Sequence, residues 1–589
     1  IGNIKKYEVA SVENPGDSTN PSDSSNRSNT GVQILDASKA LALDTNNLIK
    51  DSSRSHWSSG ADGRQVDKGG VGEVLLRRTK TRNIFTNLED SNLMAESNAF
   101  KTSNEEITPE LLGLGPKDKL ERDRVIQYIR GYDPYTKTQD STTLKKRKWI
   151  LGAVFHSRPL VIPYGSSRSV IFAGANDGMF HAFDDATGEE LWGFIPSDLL
   201  SRLKEMTRGG GLNYYVDGSP KAYITESKKI IIFGLRRGGS NYYALDVTDP
   251  ESPKFLWKIG PETPGYSEMG QSWSTPHIGK IRFGTNGKVV CFIGGGYDEN
   301  QDKKIVTKED KKGRAVYVVD ILTGEQVWRW DYNRDSQMRY SIPSDISRVD
   351  TNGDGYIDRL YAGDMGGRIW RFDIKEPDTN AWSGRIFFDS NSSVGNGKRK
   401  IFYRPDVVLE KGYEVVFFGT GDREHPKDTG VTNKFYVLKD KGLSAPLSED
   451  NLGDVTNGPS TNNLENKEGW FISLGANRGE KVTGGSVVAF GVLYFTTFTP
   501  GDGENVARVY ALNYKNGNGI LNLNPANDTE GVRIDLSDRS KVIGSGIPSG
   551  TVISAVNGRP IAFTGINGGY YNTPVRKHTT VIPVWWRQV

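Results

Sequence analysis

The sequence predicts an all-β fold, a modified seven-bladed β-propeller with decorated loops, preceded by an irregular α+β segment. Three observations predict it. Glycine (68) and proline (26) make up about 16% of the 589 residues, against a typical ~12%, which favours many turns and short strands. A unit of apolar strand, glycine turn, second strand ending in Asp or Asn, further turn and Trp recurs through the second two thirds of the chain. The closing residues Asp184, Asp246, Asp320, Asp373, Asp440 and Asn513 lie 53 to 74 residues apart, longer than a minimal propeller blade of ~40–50 residues because the loops are enlarged.

Residues 1–32 read as a flexible linker, Ser-, Asn- and Pro-rich from 11 onward and without apolar period. Residues 33–150 read as an α+β lead-in that packs on the propeller, with helices expected at 36–42 and 116–129. In the second helix Leu120, Val125 and Ile129 recur at about helical spacing. Thr108-Pro109 has the form of an N-cap followed by a first-turn proline. The propeller occupies 151–589. Its units are 172–192, 231–257, 291–328, 360–382, 415–440 and 492–517, with a partial copy at 561–569. A single blade leaves both faces uncovered, and stacking around an axis buries them. In Asp184-Asp-Ala-Thr-Gly188 and Asp320-Ile-Leu-Thr-Gly324 the Asp hydrogen-bonds the turn backbone and Gly supplies the positive φ. Trp192, Trp257 and Trp328 follow these turns and are expected to pack between blades.

Composition excludes several classes. The net charge of +3 is spread over 147 charged side chains without a basic stripe, so there is no nucleic-acid footprint. The one cysteine, Cys291, lies in an apolar strand and excludes a disulfide framework or Cys-based zinc site. No run of ~18 apolar residues forms a transmembrane segment. The chain begins Ile-Gly, which reads as a fragment or processed form with any export signal upstream of residue 1.

One segment carries specific chemistry. Residues 350–358 read Asp-Thr-Asn-Gly-Asp-Gly-Tyr-Ile-Asp. Asp350, Asn352 and Asp354 occupy positions 1, 3 and 5 of a calcium loop, Gly355 the sharp turn, Tyr356 the backbone-carbonyl position and Asp358 position 9. Carboxylates this close repel one another unless a cation joins them. The helical EF-hand is excluded, since position 12 is Tyr361 and Leu360 to Gly363 is strand-like. The loop resembles the nine-residue calcium loops of β-propellers such as integrin α chains. The expected ligands are therefore Asp350, Asn352, Asp354, Tyr356 and Asp358, with Ca2+ as cofactor; the bland alternative is a solvated acidic turn. Other acidic runs (501–504, 298–302, 44–51) lack the spacing. The six His show no metalloprotease pairing, the Gly-Gly-Gly runs at 209–211 and 294–296 no phosphate-loop lysine, and no serine sits in a nucleophile elbow. No catalytic constellation appears, and the expectation is a protein that is not an enzyme.

Several segments together resemble the C-terminal region of the PilC/PilY family of type IV pilus tip-associated factors. They are 56–63 (HWSSGADG), 126–133 (IQYIRGYD), 155–161 (FHSRPLV), 173–183 (AGANDGMFHAF) and, most specifically, 350–373, where the acidic loop runs into RLYAGDMGGRIWRFD. The resemblance covers roughly 55–570. It implies an exported protein of the bacterial cell surface, at the pilus tip or outer membrane, that supports pilus extension by opposing retraction, tunes twitching motility and contributes to host-cell adherence. Implied partners are major and minor pilins and a host-cell surface receptor. It also implies calcium on Asp350, Asn352, Asp354, Tyr356 and Asp358. No Arg-Gly-Asp tripeptide occurs. Two rival readings are a carbohydrate- or matrix-binding propeller, with Tyr214-Tyr215 or Tyr570-Tyr571 as stacking aromatics, and a quinone-dependent dehydrogenase, whose repeat the Asp-x-x-Thr-Gly-x-x-x-Trp units resemble.

Overall fold

The short strands pair antiparallel in chain order into separate sheets, called blades here and numbered from the N-terminal side. The computed structural model describes residues 1–11, 32–88, 90–136, 144–209, 211, 213–303, 308–392, 399–458, 464–529, 534–556 and 559–575. Blade I comprises Leu160–Tyr164, Arg168–Gly174, Phe180–Asp184 and Glu190–Ile195. Blade II comprises Lys221–Ile224, Lys229–Gly234, Tyr242–Asp246 and Lys254–Ile259. Blade III comprises His277–Ile281, Lys288–Gly294, Ala315–Asp320 and Gln326–Asp331. Blade IV comprises Ser347–Val349, Arg359–Gly363, Arg368–Asp373 and Ser383–Asp389. Blade V is built on Asp406–Glu410, Tyr413–Gly419, Lys434–Asp440 and Gly469–Ser473, and blade VI on Val487–Ala489, Val492–Thr499, Val506–Asn513 and Ser540–Gly544. A last sheet has three strands, Val552–Val556, Arg559–Ile566 and Gly569–Thr573. The first strands of successive blades II to VI adjoin one another, so they form the inner wall of the assembly.

The core is a series of slabs, one between each neighbouring pair of blades. Phe172, Phe180 and Trp192 of blade I pack with Phe233 and Tyr243 of blade II. Trp257 and Ile232 of blade II pack with Cys291, Tyr317 and Val319 of blade III. Trp328 of blade III packs with Trp370, Phe372 and Trp382 of blade IV. Cys291 is thus a buried small hydrophobe, as its strand context implies.

Three tryptophans each fasten a slab at its outer edge. Trp192 Nε1 donates to the Pro250 carbonyl of the next blade at 2.8 Å, Trp257 to Ile321 at 2.9 Å and Trp470 to Tyr514 at 3.1 Å. The turn that receives Trp257 is the Asp-x-x-Thr-Gly turn. Asp320 Oδ1 accepts from the Leu322 and Thr323 amides, and Gly324 has φ +74°. A Cβ on Gly324 would lie 2.8 Å from Trp257 Cγ, so glycine is needed there both for conformation and for close approach.

The lead-in wraps this frame. Ile84–Thr86 adds a parallel strand to the outer edge of blade I, and Leu48 bridges Gly569 on the outer edge of the three-stranded sheet. The helix expected over 116–129 forms as Lys119–Ile129, burying Val125, Ile126 and Ile129 but leaving Leu120 67% exposed. The helix expected over 36–42 is a correction. Asp36 Oδ1 accepts from the Ser38 and Ala40 amides, a local side-chain bond that competes with the helix, and the segment turns back to bridge Leu35 with Leu41. The Thr108-Pro109 start yields only a 3-10 turn, Glu110–Leu112. Glu8–Ser11 pairs with Val32–Leu35. Of the Ser/Asn-rich linker, residues 12–31 lie outside the described residues.

Candidate metal centre

The acidic loop is the connection between the first two strands of blade IV. Val349 pairs with Arg359, and the Asp358 amide donates to Val349 O at 2.9 Å, closing the hairpin around residues 350–358. Its far side is anchored on blade III, where the Ile357 amide donates to Lys280 O at 2.8 Å. Gly353 and Gly355 have φ of +77° and +89° with open space around them, so backbone conformation alone selects glycine there.

The first carboxylate organises the loop backbone. Asp350 Oδ1 accepts from the Gly353 and Asp354 amides (2.7 and 3.2 Å), and Oδ2 accepts from Gly355 (2.7 Å). Asn352 Oδ1 accepts from the Asp354 amide and its Nδ2 donates to Asp354 Oδ2. Asp354 Oδ1 accepts from the Tyr356 amide at 2.9 Å. Asp358, 3% exposed, accepts through Oδ2 from Thr351 N and Oγ1.

Asp354 Oδ2 and Asp358 Oδ1 meet a cation from the neighbouring blade. Arg282, just past the first strand of blade III, bonds Asp354 Oδ2 through Nη2 and Asp358 Oδ1 through Nη1, the latter at 2.6 Å. The Tyr356 ring lies beneath Lys280 and Arg282, 4.7 and 5.4 Å from its centroid. Its side chain is taken up by these cations, leaving the carbonyl as the group it could offer a metal.

The structure thus brings Asp354 and Asp358 onto one positive charge and turns Asp350 toward the amides. Among the described residues no group of three or more His, Cys, Asp or Glu converges as a metal cage. The donors are nonetheless the hard oxygens a calcium ion takes, and two of them already face a common cation. Arg282 is the residue that reading the sequence missed. It lies 72 and 76 positions from its partners on another blade, and only the adjacency of blades III and IV brings it there.

The acidic run at 298–302 has structural partners. Asp298 caps a 3-10 turn through the Asn300 amide, and Asp302 pairs with Arg237. Tyr215 is buried and Tyr214 stacks on His156, while Tyr570 packs edge-on against Phe563. Among the described residues no helix is long and apolar enough to cross a membrane.

Comparison with known proteins agrees with this architecture. A family model described as the PilY1 beta-propeller domain matches residues 164–443. The type IV pilus biogenesis factor PilY1 of Pseudomonas aeruginosa (strain PAO1) is 28% identical over 408 residues, covering 58% of this chain and 33% of the relative. A PilY1 homolog of Xylella fastidiosa (strain Temecula1) is 27% identical over 514 residues, covering 76% of this chain and 38% of the relative. The chain spans about a third of the length of these curated relatives. The crystal structure of the P. aeruginosa PilY1 C-terminal domain matches with a TM-score of 0.51 at 23% identity, over 67% of this chain and 91% of that one, a likeness of fold. The family model, the curated relatives and the shared fold together support a place for the chain's propeller in the PilY1 family.

Proposed function

We propose that this chain is the calcium-responsive propeller of a type IV pilus biogenesis and adhesion protein. In this reading seven blades close around the axis, and the protein acts at the bacterial surface or pilus tip, without catalysis. It promotes pilus extension by opposing retraction, modulates twitching motility and supports host-cell adherence, with pilins and a host-cell receptor as partners. The observation that carries the calcium reading is the loop itself: Asp350, Asn352, Asp354, the Tyr356 carbonyl and Asp358 on nine residues, with Asp354 and Asp358 already directed at one cation. Calcium, when bound, would supply the divalent charge that joins these oxygens. Asp350 holds the turn through three amides, and Asp358 anchors the loop to the first strand. Arg282 and the Ile357–Lys280 bond tie the loop to blade III, so a change in the loop reaches the face shared by blades III and IV.

Calorimetric titration of the chelator-stripped chain with calcium tests the site. Without the bidentate Glu of an EF-hand, micromolar or weaker binding is expected, and it should vanish in the Asp354→Ala, Asp358→Ala double variant while the far-ultraviolet spectrum stays folded. Equal heat in both proteins would move the site elsewhere. Pilus retraction in a strain carrying the double variant in the full-length protein then tests the biological role, which fails if retraction and twitching match the wild type.

A further inference from the structure

The wall lining the axis of the propeller carries an unbalanced ring of positive charge. Four of the inner strands start in the same way. Arg158-Pro159 precedes Leu160–Tyr164, Ser219-Pro220 precedes Lys221–Ile224, Thr275-Pro276 precedes His277–Ile281, and Arg404-Pro405 precedes Asp406–Glu410. The proline fixes φ where the first strand begins, and bonds between blades hold the flanking residues at one level. That level is laced from blade to blade. The Arg158 amide donates to Ser219 Oγ (3.1 Å) and the Thr275 amide to Asp345 Oδ1 (2.7 Å). Ser347 Oγ donates to the Pro405 carbonyl, and the Val488 amide to Asp406 Oδ2 (3.1 Å).

Four permanent cations stand at this level: Arg158, Lys221, Arg348 and Arg404. Among the described residues none of them makes an ion pair. Arg348 Nη1 reaches only the His277 ring, 3.1 Å from Nδ1. Burial holds His277 down at about 4, so the ring is neutral at physiological pH and adds no further positive charge. The acids that face the ring are Asp345 and Asp406. Asp345 is already bonded to the Thr275 amide, with His277 Nε2 at 3.5 Å, and Asp406 to the Val488 amide. The cations feel one another. The strands packed around the exposed Lys221 side chain push its ammonium down by partial desolvation, Asp345 opposes this only in part, and Arg404, Arg158 and Arg348 add to the push. Arg348 is held down at about 10 by burial and then by Arg404.

A second arginine cluster of the same molecule shows the contrast. Arg236, Arg237 and Arg423 meet Asp217, Asp302 and Glu424: Arg236 pairs with Asp217, Arg237 with both Asp302 and Glu424, and Arg423 donates to Tyr403 Oη. Arg236 and Arg237 also cover the Trp273 ring, at 3.8 and 5.1 Å from its centroid. There the chain provides its own anions. Around the axis only Asp345 and Asp406 face four cations, and among the described residues neither forms an ion pair with one of them, while solvent reaches the wall at Lys221 and at Val161 and Ile224, which are 52% and 47% exposed. Guanidinium groups present forked donors that match an oxyanion, and like charges gathered out of bulk water are stabilised by one.

We propose that the axial ring of Arg158, Lys221, Arg348 and Arg404 is a binding site for a small oxyanion of the phosphate or polycarboxylate class, which pins the inner strands of blades I to V. The site is separate from the acidic loop and does not depend on the calcium reading.

The test is thermal unfolding and calorimetry of the calcium-free chain, titrated with inorganic phosphate in one arm and citrate in the other, each against chloride at matched ionic strength. A saturable rise in melting temperature beyond that in chloride is expected, and the arm with the tighter binding identifies the class. Arg348→Gln and Arg404→Gln should each weaken binding at least tenfold. Without oxyanion they should melt no lower than the wild type, because each removes a repulsive charge. Should either fail to fold, Lys221→Gln at its solvent-exposed position takes its place. A response no larger than that to chloride, or a wild-type titration in the variants, overturns the proposal.

Discussion

Arg82, His181, Asp177 and Glu190 form a closed ionic network between the lead-in and blade I, all buried. Arg82 bonds both oxygens of Glu190 at 2.7 Å through Nε and Nη2. His181 Nδ1 lies 2.8 Å from Glu190 Oε1 and Nε2 lies 3.1 Å from Asp177 Oδ1. Burial by itself would push the imidazole down; Asp177 and then Glu190 reverse this and hold it up at about 9. A histidine raised in this way contributes stability that is full below the unfolded value, near 6.5, and is lost as pH rises through about 9. Stability to urea should therefore fall between pH 6.5 and 9.5, and His181→Gln should flatten that fall. An unchanged slope in the variant would show that the ring is not the titrating group. Glu190→Ala leaves Arg82 buried without its counter-ion and should cost about 3–5 kcal/mol in the same measurement. None of this was legible from the sequence, where His181 is one of six scattered histidines. Its partners come from its own hairpin, and Arg82, 108 residues before Glu190, joins the network through Glu190.

The repeating hairpin and its tryptophan are the element that reading the sequence found most directly. The closing residues Asp184, Asp246, Asp320, Asp373, Asp440 and Asn513 each end the third strand of their blade; all but Asp373, which pairs with Arg359 and Arg371, accept from an amide of the following turn. The expectation that Trp192 and Trp257 join blades also holds, since each donates to the following blade. Trp328 joins blade IV by packing on Trp382 and Phe372 instead. Local sequence was a poorer guide in the lead-in, where the 36–42 segment turns on Asp36, and between blades I and II, where it gives no sign of the 12-residue 3-10 stretch Ser197–Arg208. There tertiary packing decides, not period. Trp257→Ala opens the slab between blades II and III and should cost about 3–5 kcal/mol by urea denaturation. Gly324→Ala tests the other half of the contact. Its φ of +74° and the 2.8 Å approach to Trp257 Cγ should make it destabilising by at least ~1 kcal/mol; a neutral result would mean that the turn relaxes and that the indole contact is loose.

At the scale of the molecule, the lead-in is part of the frame. The last sheet has three strands of its own, and its open edge is covered by residues from the other end of the chain: the Ile49 amide donates to Gly568 O (3.1 Å) and the Tyr570 amide to Asn47 O (3.3 Å). A few residues on, Trp57 Nε1 donates to Ala186 O of blade I at 3.2 Å, and a Cβ on Gly188 would lie 2.8 Å from Trp57 Cγ. This is the geometry with which Trp257 meets Gly324, so Trp57 serves blade I as the tryptophan of a preceding blade would. The repeat made the blades legible. Closure was not, because a single strand segment donated over more than 500 residues carries no period. Ile49→Pro removes one of the closing amides and sets a ring against the edge. If closure couples the ends, the variant should lose about 1–3 kcal/mol of global stability, and hydrogen exchange should rise in blade I and throughout the last sheet. Were exchange to rise only at 45–60 and 559–573 with the melting temperature unchanged, the contact would be local fraying. The blades would then be held by their neighbours alone, as in an open repeat array.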